Sequence, residues 1–534
     1  MANEKNKKVN KVKKEKRQDV PNQGHRHLFG STEKSDFILN MDGDGAQKMC
    51  SRYAVLSMII ITIMAVPAYF TQRVGEYMVG DTYHYFGENF VFYSAAMVML
   101  SGGVGYLVFN IARQKGNVDI KHNRLLILPV VIILLALVSC FCAESIHDAV
   151  LGYIGRHDGL LTLFGCFGLF AVAAAISDEK RKAAVADFIV GLGAFHSLVG
   201  ILQAAPATSD FMHNYFEYLY IRPGTANTVG SGELFLEQDG PIMQGIYEHG
   251  RAASGFLTSP HALAALISVA FAVALAGAAF GGSRKRKSLY SGAAVLMAAA
   301  GCLTRVISAQ IALGVSSGII LVLALIKAFK KENGSKAALV GLVPIVFSGI
   351  VVGIMLGTGT AESKDEAVIF TDSFIVRSIG RNQRYEYEAG QEDYGSDERS
   401  IYAYLEADGE YVISQKPLLG TGPDNFSYHL SEYSLTLDRV YNEYLDIAAQ
   451  RGVPGLVLHL MFVLICLIKA IKAAVRYIKG EGDWLAAASL GAMCAYLAQA
   501  WFNTTWAFST YYFYIAAGLA WGFEIMGRKK AEKR

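Results

Sequence analysis

The chain has 534 residues, 53% of them hydrophobic and 18% charged, with 53 Gly, only 11 Pro and a mean hydropathy of +0.30. The apolar residues come in long uncharged blocks rather than short core segments, which excludes an ordinary soluble enzyme. The formal net charge of +3 is small only because larger opposite charges cancel between two sides of the molecule, as shown below.

Residues 1–52 carry twelve Lys and Arg, mostly between Lys5 and Arg17, and too few apolar residues to build a core. They read as a disordered cytoplasmic tail, drawn to anionic lipid rather than to nucleic acid. The first apolar block starts too late and runs too long for a cleavable signal, so it stays as the first helix. Twelve spans follow, at 53–70, 90–112, 125–143, 159–177, 185–203, 261–280, 289–303, 307–326, 337–357, 453–475, 484–502 and 508–527. The expectation is an all-α polytopic membrane protein: helices 1–5 over 53–203, helices 6–9 over 261–357, helices 10–12 over 453–527, and a second cytoplasmic tail at 528–534.

Orientation follows from the basic residues of the short connections. Connections 113–124, 178–184, 281–288, 327–336 and 476–483, the last counted with Lys469 and Lys472, hold 19 Lys and Arg; the alternate ones hold only Arg73, Arg156 and Arg305. Both termini are therefore expected in the cytoplasm. On that topology the inner side carries +20 and the outer side −17. The seven Cys lie in the tail or in and beside apolar blocks, so neither a disulfide framework nor a CxxC metal knuckle is available.

Two outer connections, 204–260 and 358–452, are far longer than a link requires, and loops of that size are usually functional. Both are acidic and rich in Tyr and Phe, a combination that suits sugars: C–H faces stack on rings while hydroxyls bond to carboxylates. Of the 13 outer basic residues 11 are Arg, whose planar guanidinium grips phosphate with two parallel bonds and keeps its charge. Arg305 is the sharpest of them, because Thr304-Arg305-Val306 is the whole connection between two apolar helices.

The second long loop ends in Pro417-Leu-Leu-Gly-Thr-Gly-Pro423-Asp-Asn-Phe426, a Gly/Pro turn, and then Asp438-Arg-Val-Tyr441-Asn442-Glu443-Tyr-Leu445-Asp446-Ile-Ala-Ala-Gln450-Arg-Gly452-Val-Pro454-Gly455. Asp438 suits an N-cap, 439–451 a short helix on the outer membrane face, Gly452 its C′ residue and Pro454 the start of the tenth span. On that helix Asn442 and Asp446 share one stripe, while Tyr441, Leu445 and Ala448 share a neighbouring one.

These residues carry a resemblance. PLLGTGPDNF followed by YNEYLDIAAQRGVPG and a membrane helix resembles the O-antigen ligase and polymerase family of bacterial glycan-assembly enzymes, whose pattern is a PLLGxGxxxF turn, then HNxxL, then GxxG. Arg251, before Gly255-Phe-Leu-Thr-Ser-Pro260-His, resembles the arginine that precedes the family's Gly-Phe-x-x-Pro-Asn segment. Thr304-Arg305 is similar to its Ser/Thr-Arg pair, and Arg399 to the arginine ahead of the turn. These matches span about 251–455.

The resemblance implies a GT-C-like helical membrane architecture and a glycosyltransferase needing no cofactor and no metal. Its donor would be an undecaprenyl-diphosphate-linked saccharide, used at the outer face of the bacterial cytoplasmic membrane, and its acceptor a hydroxyl of a glycan, lipid or protein. Arg251, Arg305 and Arg399 would bind the diphosphate; Tyr441, Asn442, Glu443 and Asp446 would form the catalytic set. One departure matters: Tyr441 stands where the family pattern has the His that is the candidate general base, and a phenol of pKa about 10 is a poor base at neutral pH. Three readings stay open: a carboxylate (Glu443, Asp446 or Asp438) takes the proton while Tyr441 positions the acceptor, His429 substitutes, or leaving-group stabilisation by arginines suffices. The competing class is a transporter or flippase of lipid-linked oligosaccharide. Against it, the central portions of the spans lack charge and polar residues collect in two loops.

Overall fold

The computed structural model describes residues 41–70, 75–79, 82–86, 88–118, 124–153, 156–204, 253–257, 259–304, 306–330, 347, 401–429 and 439–531. Helix α1 (Gly43–Phe70) leads through a short hairpin, β1 (Gly75–Val79) and β2 (Thr82–Phe86), to α2 (Glu88–Gln114). Then come α3 (Leu128–Ser139), extended by a 3₁₀ turn at each end, the one-and-a-half-turn α4 (Ile146–Leu151), α5 (Leu160–Ala174) and α6 (Glu179–Ala204). Helices α7 (Pro260–Phe280), α8 (Arg284–Leu303) and α9 (Ile307–Phe329) form a second run. They are followed by α10 (Ile401–Gln415), α11 (Glu443–Ile478), α12 (Leu485–Gln499) and α13 (Tyr511–Ala531).

Apart from the hairpin, the described elements are helical, as the fold expectation requires. Every expected span but one coincides with a helix; the ninth, 337–357, lies outside the described residues save for Phe347. Seven of the helices are long and apolar enough to cross a membrane: residues 92–114, 124–142, 179–203, 260–280, 307–329, 443–478 and 485–502. Both large loops fall mostly outside the described residues, as does the basic tail up to residue 40.

Small residues set how closely the helices approach. Helix α7 is buried from Pro260 to Ala279 and is surrounded by α6, α8, α9 and α12. Its sequence is dominated by Ala, and side chains that short let four neighbours close on one axis. The glycines of Ser101-Gly-Gly-Val-Gly105 read as packing notches. Gly102 and Gly105 of α2 indeed face Gly165 and Gly168 of α5, and a Cβ on Gly102 would stand 2.0 Å from the Gly165 carbonyl oxygen. Gly314 and Gly318 of α9 carry the same expectation but face open space, so they are not notches.

The end of the molecule that carries the Gly/Pro turn is organised by a bend in α11. Gly452 (φ 71°, ψ 172°) divides it into an arm from Glu443 to Arg451 and a long arm from 453 to 478, with Pro454 in the first turn of the second. The bend is acute: the Glu443 carboxylate comes within 3.8 Å of His459 Nε2, which lies about 9 Å along the second arm at helical rise. The Gly/Pro turn docks on the apex. Thr421 N and Gly422 N donate to the Ala449 and Gln450 carbonyls (both 2.9 Å), Val453 N donates to the Pro417 carbonyl (2.8 Å), and Ser139 Oγ of α3 donates to the Gln450 carbonyl (2.9 Å). A Cβ on Gly420 would meet the Gln450 carbonyl carbon at 2.4 Å, and one on Gly452 would meet the Leu418 oxygen at 2.3 Å. The two glycine signatures, far apart in sequence, are two halves of one contact.

Candidate functional site

Two features of this region differ from the sequence expectation. The first arm begins at Glu443 rather than 439, and its N-cap is Asn442, whose Oδ1 accepts from Tyr444 N (3.2 Å) and Leu445 N (3.3 Å). Asp438 lies outside the described residues. Nor does this arm lie on a membrane surface with one stripe in lipid: Tyr441, Asn442, Glu443, Asp446, Ile447, Ala448 and Ala449 are all buried. The cause is tertiary. Arg439 is drawn into a buried ion cluster, and the chain from 439 to 442 is spent reaching it.

That cluster joins three segments. Asp424, in the Gly/Pro turn, is fully buried; its Oδ1 lies 3.1 Å from Arg156 Nη2 and 3.2 Å from Arg439 Nη2. Its Oδ2 accepts from the backbone amides of Tyr153 (2.7 Å) and Asp158 (3.1 Å). Arg439 Nη1 in turn reaches Asp158 Oδ2 at 3.3 Å and Thr504 Oγ1 at 3.4 Å, and its guanidinium lies 5.6 Å from the Trp506 ring centroid. Asp158 also accepts from Thr505 Oγ1. Two carboxylates and two guanidiniums thus balance one another in charge, a condition for such groups to be buried at all.

The cluster continues into the first arm. Asp424 N donates to Gln450 Oε1 (2.9 Å), Gln450 Nε2 donates to Asp446 Oδ1 (2.9 Å), and Asp446 Oδ2 accepts from Thr504 Oγ1 (3.2 Å). Glu443 accepts from Tyr496 OH at 3.0 Å. Arg439 and Glu443, four residues apart, thus take different partners in these contacts. Tyr441 stacks obliquely on His261, the ring centroids 4.7 Å apart and the planes at 59°.

Backbone strain marks the same place. His157 (φ 49°) and Asp424 (φ 53°) are the described non-glycine residues with positive φ, and both belong to the cluster's segments. Gly152 and Gly159 close the loop that presents Arg156-His157-Asp158; a Cβ on Gly152 would stand 2.2 Å from the His157 Cα. In this loop burial pushes the His157 imidazole below its usual range, with Asp424 pulling the other way. Burial pushes the Asp158 carboxyl above its usual range, opposed chiefly by Arg439. A second, more exposed group sits above: Tyr428 OH donates to Asp148 Oδ2 at 2.6 Å, and His147 Nδ1 lies 3.0 Å from Asp148 Oδ1. Burial and the Asp148 bond push the Tyr428 phenol up to about 12.

The structure therefore brings Tyr441, Asn442, Glu443 and Asp446 together with Arg156, Asp158, Asp424 and Arg439. Sequence reading had used Arg156 only to set orientation, and the glycines around Arg156-His-Asp158 were the signal for a built loop. His429, a proposed substitute base, sits with its Nε2 3.3 Å from Lys416 Nζ. Arg251, Arg305 and Arg399 all lie outside the described residues. Their chain neighbours do not: Ala253 N donates to the Leu303 carbonyl at 2.8 Å, so the segments carrying Arg251 and Arg305 meet two residues from each. Among the described residues no group of His, Cys, Asp and Glu has the arrangement of a metal site.

Residues 292–460 match the family model described as O-antigen ligase. The matched segment contains Arg305, Arg399, the docked turn with Asp424, Arg439 and the whole first arm; Arg156, Asp158 and Arg251 precede it. Over this segment the match agrees with the resemblance to the O-antigen ligase and polymerase family, and the apolar helices agree with a membrane protein. No curated protein matches the chain.

Proposed function

We propose that this protein transfers or polymerises a saccharide carried on undecaprenyl diphosphate, at the outer face of the cytoplasmic membrane, onto a hydroxyl of a glycan, lipid or protein. The observation that carries the reading is the docking of the Gly/Pro turn on the bent α11. It buries Asp424 between Arg156 and Arg439 and links it through Gln450 to Asp446 on the first arm, the arm that Asn442 caps and Glu443 begins. In this reading Arg251, Arg305 and Arg399 hold the diphosphate and stabilise it as it leaves, the step on which such a transfer depends most. Tyr441 and Asn442 orient the acceptor, while Glu443 and Asp446 support them from the same arm.

The test has two parts. Surface glycans from cells lacking the protein distinguish its two forms: shortened chains mean a polymerase, full-length but unattached chains a ligase, and unchanged glycans remove the reading. In liposomes loaded with the donor lipid that such cells accumulate, replacing Arg251, Arg305 or Arg399 singly with Ala should abolish transfer while leaving thermal unfolding unchanged. Wild-type turnover in all three would refute the diphosphate assignment. Tyr441→Phe should retain more activity than Asn442→Ala.

A further inference from the structure

The segments that lead to Arg251 and Arg305 meet where Ala253 N donates to the Leu303 carbonyl, and the structure shows what holds them there. Residues 253–257 lie across one face of α6, over His196, Gly200 and Gln203, which helical spacing brings into line. A Cβ on Gly200 would stand 3.0 Å from the Ala253 Cβ, and one on Gly255, whose φ is 62°, would stand 2.7 Å from the His196 carbonyl oxygen. The missing side chains let the segment sit close. Phe256 N then donates to His196 Nδ1 at 3.3 Å.

The most heavily bonded member of that face is Gln203, the buried penultimate residue of α6, which the sequence presents only as the end of a span. Its Oε1 accepts from Ser254 N (3.1 Å), Gly255 N (2.9 Å) and Ser254 Oγ (3.3 Å), and its Nε2 donates to the Gly255 carbonyl (2.9 Å). One side chain thus serves the polar groups of two successive buried residues, groups that are costly to leave unpaired. With 254 and 255 held, the Ala253 amide meets the Leu303 carbonyl at 2.8 Å, one of the carbonyls that the C-terminal end of α8 leaves without a helical partner. Arg251 and Arg305 are each two residues from this bond, and two residues of chain span at most about 7 Å. The bond therefore tethers both positions to one place.

We infer that Gln203 is a positioning residue for the donor's diphosphate: it holds residues 253–257 on α6, and through them the junction that keeps Arg251 and Arg305 within reach of one ligand. This rests on the lipid-linked transfer reading given above and on its diphosphate assignment. Two guanidiniums grip one diphosphate best when their spacing is set before it arrives, because freedom left in either chain is lost on binding. Gln203 touches no substrate in this account and acts through the segment it holds. A primary amide suits the task. It presents an acceptor and a donor side by side, as the backbone of 254 and 255 requires, and it carries no negative charge that would compete with the diphosphate for the arginines.

The experiment uses the full chain in liposomes with the donor lipid extracted from cells lacking the protein. Gln203→Met, which keeps the length of the side chain and removes its polar atoms, should lower donor kcat/KM about tenfold or more while the acceptor KM stays at the wild-type value. Gln203→Asn, one methylene shorter, no longer reaches both residues and should show the same split. Near wild-type donor kcat/KM in either folded variant overturns the inference, and so does an equal loss against donor and acceptor, the mark of general support of the fold. Should the Met variant fail to fold, the Asn variant decides alone; failure of both would make Gln203 a residue of fold stability and overturn the inference too. Wild-type protein that transfers no saccharide brings down the underlying reading instead, and normal turnover in Arg251→Ala and Arg305→Ala brings down the diphosphate assignment. Both results are distinct from an active wild type whose Gln203 variants keep their donor kcat/KM.

Discussion

Asp424 is the residue on which the cluster closes, since two guanidiniums converge on one fully buried carboxylate. Taking away one partner of a buried pair costs about 3–5 kcal/mol, because the charge left behind keeps its desolvation penalty. Asp424→Asn should therefore lower the thermal unfolding midpoint in detergent by several degrees and abolish transfer. The exposed pair of Asp44 with Arg181 gives the contrast: Asp44→Asn should change stability by less than about 1 kcal/mol. Equal effects from the two substitutions would mean that the cluster is not the anchor described. Asp148 offers a pH test. Burial tends to raise its carboxyl, but bonds with His147, Tyr428 and Ser145 outweigh that and hold it below the usual range. A carboxyl depressed in the fold adds stability above its unfolded pKa of about 4, and that stability is lost as pH falls through the folded value. Tyr428→Phe should thus destabilise the protein at pH 7 and do so progressively less toward pH 3, followed by thermal unfolding across that range. A destabilisation that grows with acid would reverse the sign and refute the account.

At the scale of elements, glycine placement separates contacts that matter from glycines that merely occur. Gly102→Val should disrupt the crossing of α2 and α5, because the first added carbon already meets backbone that cannot swing aside. Gly314→Ala on α9, with open space before it, should be neutral or slightly stabilising through helix propensity. Comparing the yields and unfolding midpoints of the two variants checks this, and equal behaviour would show that the crossing is not close. Sequence alone does not separate these cases, since both glycine pairs sit in apolar helices at similar spacing and only the partner helix distinguishes them. The same limit explains the start of the first arm. Asp438 and Asn442 are both good caps by local chemistry, and the choice between them is made by Arg439, whose partners Asp158 and Asp424 lie 281 and 15 residues away. By contrast Gly452 and Pro454 were legible, because a positive φ and a helix restart are local demands with few residue types to meet them.

For the whole molecule, hydropathy placed the helices because a bilayer imposes one length on every span. The polar cluster escaped that reading for a physical reason: it is assembled from three connections, and nothing in a span-by-span scan says which loops meet. Its location, at the ends of α3, α5, α7, α11 and α12, is the end that the basic connections assign to the outside. That assignment is testable on this chain because all seven native cysteines are buried or half-buried, which keeps background labelling low. His147, with 74% of its side chain exposed, lies at the cluster end, and Glu481 is exposed in a connection at the opposite end. In right-side-out membrane vesicles an impermeant maleimide should label His147→Cys directly, but Glu481→Cys only after permeabilisation. The opposite pattern would put the buried arginines and Tyr441 on the cytoplasmic side. Nineteen basic residues would then have crossed the bilayer against the usual bias, and the proposed transfer to an acceptor at the cell exterior would be overturned.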